Sequence, residues 1–155
     1  MTKNISNFIL AVFLLLSMGC AHNPVLIATE SNRFLEIPQP QSFKLNDGIW
    51  AQYENGSIII ASEHLDDGML ASDYLDQLYG EKKPRDEKVA RQKEIVQKDS
   101  KTVTALKLDG LSAYLIEHRY AYELLVFAYD GSSQITFVTG KGTSLTSVIE
   151  SLGEN

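Results

Sequence analysis

The chain has 155 residues, 44% of them hydrophobic, a formal charge of −6 at pH 7 and a single cysteine. That length suits one domain with a sizeable hydrophobic core. The acid excess argues against nucleic acid as a partner, because phosphate contacts need clustered positive charge, and one cysteine excludes an internal disulfide framework.

The chain begins MTKNISNFILAVFLLLSMGC, with Lys3 the only charged side chain before Cys20 and an unbroken apolar run from Phe8 to Leu16. A spanning helix needs about 20 apolar residues, so this run is too short to cross a bilayer but fits the apolar region of a signal peptide. The stretch LSMGC, with Gly19 at the cleavage edge, resembles the lipobox of bacterial lipoproteins. Ser17 and Met18 stand where that family more often has Leu and then Ala or Ser. The resemblance implies that residues 1–19 are removed and that Cys20, the new first residue, carries acyl chains. Ala21 in place of Asp implies sorting to the periplasmic face of the outer membrane of a Gram-negative cell. A plain secretory peptide cut nearby would instead leave Cys20 as a free thiol.

Residues 20–31, ending in AHNPVLIATES, are read as the lipidated cysteine and its tether; eleven residues reach about 36 Å at full stretch. The folded part is expected over 32–155. Without residues 1–19 the chain loses Lys3 and no acid, leaving a formal charge of −7. The segment Glu81 to Lys101 is locally basic, by +3, and the rest of the mature chain is acidic, by −10. The basic segment suits either an anionic surface or a solvated, mixed-charge helix or loop.

RFLEIPQPQSFKLND contains Pro38 and Pro40, which fit an edge strand or an extended lead-in. In IWAQYENGSIIIAS, Asn55-Gly56 predicts a two-residue hairpin turn with positive φ, pairing Ala51 with Ile60 and Trp50 with Ala61. LDDGMLASDYLDQLYG predicts a helix capped by Asp66 or Asp67 and closed by Gly80, its stripe formed by Leu70, Ala71, Tyr74, Leu75 and Leu78, with Asp73 and Asp76 on the far side. Asp109-Gly110 predicts a second tight hairpin pairing Leu108 with Leu111 and Leu106 with Ala113. A third crosses Asp130-Gly131; whether its loop has two or four residues, Leu124 and Val126 share a face with Ile135 and Phe137. GTSLTSVIESLG places Leu145, Val148, Ile149 and Leu152 on one face of a short helix, with Thr143 or Ser144 as cap and Gly153 as stop.

Strands, helix, charged segment, strands and helix in that order predict an α+β fold, an antiparallel sheet flanked by helices. The turns and apolar runs between Phe43 and Leu152 resemble those of the PsbP/DcrB family. That resemblance implies a non-enzymatic module that binds a periplasmic protein or assists assembly. An immunity protein that neutralises a toxic effector attacking the envelope is the alternative, and a small envelope hydrolase the third possibility.

The residues carry little sign of catalysis. His22 lies in the tether, while His64 and His118 each follow a glutamate, and neighbours on a strand point to opposite faces. A shared His64–His118 metal site would need a third ligand from Asp66, Asp67 or Glu117, and helical zinc spacing is absent. Neither a serine elbow nor a phosphate loop is present, so no cofactor, metal or catalytic residue is assigned. In YLIEHRYAYEL, Tyr114, Tyr120 and Tyr122 share a parity with His118, and Arg119 has the other. Ordinary cross-strand pairing accounts for such tyrosines, but Tyr and Arg are also enriched at binding hot spots. Tyr114, His118, Arg119, Tyr120 and Tyr122 are therefore the candidate partner-binding residues, expected to cluster at one sheet edge.

Overall fold

The structure, a computed structural model, describes residues 24–30, 33–65 and 68–153. Cys20, His22, Asp66 and Asp67 lie outside them. Seven strands form one antiparallel sheet: β3 (Ser42–Leu45), β4 (Ile49–Gln52), β5 (Ser57–His64), β6 (Ser100–Leu108), β7 (Leu111–His118), β8 (Tyr122–Tyr129) and β9 (Gln134–Lys141). Their order is β3-β4-β5-β9-β8-β7-β6, so β9 returns to the middle and joins the early strands to the late ones. A separate ribbon of β1 (Val25–Glu30) and β2 (Arg33–Ile37) covers one face beside α3 (Thr146–Gly153). On the opposite face lies α1 (Ala71–Leu78), against which α2 (Glu87–Asp99) packs. The expected α+β class, a sheet flanked by helices, is the observed one.

Coverage on both faces explains why β8 carries apolar or aromatic side chains at every position from Leu124 to Tyr129. On β8, Leu125, Phe127 and Tyr129 join the core under β1, β2 and α3. The alternate residues Leu124, Val126 and Ala128 pack under α1, together with Ile135 and Phe137 of β9, as parity requires. The outer strand β6 is mostly exposed and carries Lys101 and Lys107, the charged blunting that edge strands need.

The segment read as a tether is the largest departure. Val25, Ile27 and Thr29 turn inward, at 7%, 1% and 3% exposure, so β1 belongs to the core. Leu26 and Ala28 fill the alternate positions, and apolar residues at both parities hid the strand's period in the sequence. The ribbon's turn end is pinned by side chains. Ser132 Oγ donates to Glu30 Oε1 at 2.7 Å, Gln134 Nε2 donates to the Thr29 carbonyl, and the Arg33 guanidinium lies 4.0 Å from the centre of the Tyr129 ring.

Two hairpins behave as their turn chemistry predicts. Gly110 has φ +72°, and Leu108 pairs with Leu111 and Leu106 with Ala113. The β8–β9 loop takes the four-residue form, with Val126 opposite Phe137. The β4–β5 hairpin differs. Ala51 pairs with Ile58 and Trp50 with Ile59, which moves the register by two residues, and neither Asn55 nor Gly56 has a positive φ. A shift of two preserves every face, so the buried set is unchanged. Gly56 is needed for a close approach instead: a Cβ there would run into the Lys141 carbonyl oxygen and Thr143 Oγ1. Gly56→Ala is expected to lower stability by about 1–3 kcal/mol in denaturant titration, the range for overpacking.

The helix α1 buries Ala71, Leu75 and Leu78 of the expected stripe, but Leu70 is 44% exposed. Its N-cap is Leu70, without a side-chain cap, and Asp76, expected on the far side, faces the sheet instead. Gly80 closes the helix by donating its N–H to the Asp76 carbonyl, and a Cβ there would meet Tyr114 Oη at 2.6 Å. The basic segment contains α2, capped by Asp86, whose carboxylate accepts the Val89 N–H at 2.9 Å. That bond is the main cause holding the Asp86 carboxyl below its usual range. Lys93 Nζ reaches back to the Gly80 carbonyl at 2.7 Å, so one of the clustered bases neutralises the C-terminal end of α1. At α3, Ser144 Oγ accepts the Thr146 N–H, while Val148 and Leu152 are buried.

Candidate functional site

The strands give the body two ends. At one end lie the start of β1, Pro38, the β4–β5 loop, the β9–α3 loop, the β7–β8 turn and the α2–β6 junction. Tyr53 Oη donates to the Pro38 carbonyl at 2.9 Å there. At the other end lie the β3–β4, β6–β7 and β8–β9 turns and the start of α1.

The first end holds a cleft of about 340 Å³ lined by Lys101, Glu117, His118, Tyr122, Glu123 and Ser144, among others. The rings of His118 and Tyr122 stack across the β7–β8 pair, 4.2 Å apart and 16° from parallel. The turn between them needs Ala121 at φ +59°, and its Arg119 N–H donates to the Asp99 carbonyl. His118 Nδ1 is buried without a hydrogen-bond partner. Burial lowers the His118 pKa, with Asp99 acting in the opposite sense. Glu117 and Glu123 face each other across the strands, a repulsive pair eased because Glu123 Oε2 accepts the Leu145 N–H at the start of α3. Tyr120 projects from the turn at 75% exposure.

His118, Arg119, Tyr120 and Tyr122 therefore lie together along the β7–β8 turn. Tyr114 does not. It is 7% exposed, lies under α1 with its ring 5.7 Å from that of Tyr79, and donates to Asp76 Oδ1 at 2.6 Å. Burial is the main cause raising its pKa. Four residue steps along the strand separate it from His118, about 13 Å, so shared parity placed it on the same face but not in the same cluster. Tyr114→Phe is expected to cost about 1–2 kcal/mol of stability, measurable as a lower unfolding midpoint, because a buried bond to a carboxylate is lost.

His64 pairs with Gln134 at the opposite end of the sheet from His118. A strand length separates the two imidazoles, and they share no ligand set; among the described residues no group of three His, Cys, Asp or Glu is placed to hold a metal. The serines of YDGSSQ shape their loop: Ser132 Oγ accepts the Gln134 N–H.

A larger opening was not anticipated from the sequence. β4 ends its pairing at Ile49–Ile60, while β5 runs on to His64. Among the described residues no strand pairs with the β4 side of β5 beyond Ile60, which leaves a notch of about 620 Å³. Its walls include Ala28, Leu45, Ile49, Ile60 and Ala61, with Asn46–Gly48 at the turn. Leu45 beside it is 69% exposed and Trp50, on the neighbouring strand, 45%. A short outer strand next to a long inner one creates this opening, and only the pairing register reveals the difference in length.

Compared with protein-family models, curated proteins and solved structures, the chain matches none.

Proposed function

We propose that the chain is a lipoprotein of the cell envelope, held by acylated Cys20 at the periplasmic face of the outer membrane, and that its body is a non-enzymatic module binding an extended segment of a periplasmic protein. The observation that carries the binding role is the notch where β5 outruns β4. An uncovered strand edge offers main-chain groups to an added strand, and apolar walls accept its alternate side chains. Leu45, exposed at the wall of the notch, extends the apolar contact outward. The likeness to PsbP/DcrB modules supports the same non-catalytic reading. The cleft beside His118 is smaller, and its Tyr122 ring is already stacked, so the notch is the better partner site.

The test is recovery of bound proteins from solubilised envelopes using full-length chain. Leu45→Asp, an exposed change, is expected to reduce recovery of the specific partner about tenfold or more, as loss of a central apolar contact does. Tyr120→Ala is expected to leave that recovery intact. Equal recovery by a folded Leu45→Asp protein and the wild type would refute the notch as the binding site.

A further inference from the structure

We infer that the end of the body bearing Tyr120, Arg119, Lys101 and Lys141 rests on the phospholipid head groups of the leaflet that holds the anchor, leaving the β5 notch directed away from the membrane. The inference rests on acylation of Cys20 as proposed above. Because β1 begins at Val25, only five peptide steps separate Cys20 from the folded body, a reach of about 17 Å at full extension. The reach would have been about twice that had residues 25–30 been a tether. Val25 lies at the end of the body where Tyr53 meets Pro38, opposite Ile37 in the ribbon. β1 covers about 17 Å from Glu30, which is bonded to Ser132 at the opposite end, back to Val25. With that opposite end on the leaflet the linking residues would have to be drawn out to their full length, whereas with the first end down they reach the membrane with slack. The short link therefore favours the first end.

Charge points the same way. Lys98, Lys101, Arg119 and Lys141 are exposed near the first end and balance Glu54, Asp99, Glu117 and Glu123. The other end carries Glu30, Asp47, Glu63, Asp109 and Asp130 against Arg33 and Lys107. An anionic leaflet attracts bases near its surface and repels the acid excess at the far end. Tyr120, exposed on the turn between them, has the amphipathic ring that favours the head-group level.

Lipidated full-length chain is reconstituted in vesicles of phosphatidylethanolamine and phosphatidylglycerol. A fluorophore is attached at Tyr120→Cys or Asp130→Cys, both exposed turn positions, and quenched by lipids spin-labelled in the head group. Quenching at position 120 is expected to exceed that at 130 at least threefold. Inserting twelve Gly/Ser residues between Ala21 and His22 is expected to bring the ratio toward one. Equal quenching in a chain that carries acyl groups and floats with the vesicles overturns the orientation while sparing the anchor. An unchanged ratio after insertion overturns the short link as its cause. A chain without acyl groups overturns both anchor and orientation.

Discussion

Cys20→Ser is expected to move the protein from the membrane fraction to the soluble one and to abolish labelling by fatty acid. Each buried CH₂ of an acyl chain contributes about 0.8 kcal/mol, and two chains already anchor a protein stably. Among the described residues no helix is long and apolar enough to cross a membrane, so the body offers no substitute span of that kind. The head-group contacts inferred for Tyr120 and its neighbouring bases are weak by comparison, since each base near the surface adds about 1 kcal/mol and salt screens it. The effect of removing one sulfur should therefore be close to all-or-none. Unchanged fractionation of the Cys20→Ser chain in moderate salt would refute the lipid anchor.

Phe127→Ala is expected to be the most damaging single truncation in the body. The ring is fully buried, at 0% exposure, and meets Tyr129 edge-on with centroids 5.7 Å apart. It sits on β8, between β7 and β9 and under the β1–β2 ribbon and α3, so few neighbours can collapse into the space it leaves. Such truncations cost about 3–5 kcal/mol, a large part of the 5–15 kcal/mol that typically holds a domain together. The unfolding midpoint should fall by more than about 10 °C. Phe137→Ala, on the other face and only half-buried, is expected to cost clearly less. If Phe127→Ala cost under about 1 kcal/mol, the ribbon could not be covering that face as described.

Much of the local structure was legible because it depends on close neighbours in the chain. Asp109-Gly110 forms its turn through the backbone freedom of one glycine, and the α1 stripe follows from the helical period. Parity around Asp130 put Leu124 and Val126 on one face with Ile135 and Phe137 whichever loop length formed. The same logic failed where local signals were ambiguous. Asn55-Gly56 suggested a two-residue turn, but the close approach of Lys141 and Thr143 selected a longer loop, and no local residue announces that contact. In the candidate cluster, stacking of His118 on Tyr122 follows from their places on either side of the β7–β8 turn. Tyr114 dropped out because parity specifies a face and not a distance along it.

The sequence by itself determined the class of fold, most of the turns, the faces of the central strands and the position of a lone cysteine behind a short apolar run. Those features are written in spacing over a few residues, where steric limits and side-chain period act directly. Only the tertiary structure decided that β1 joins the core, that β9 lies between β5 and β8, and that β5 outruns β4 to leave a notch. These outcomes depend on which apolar faces bury one another across long stretches of chain; His64 meets Gln134 across 70 residues. Non-local burial of that kind selects among many locally acceptable pairings, and it sets both the notch and the point at which the folded body begins.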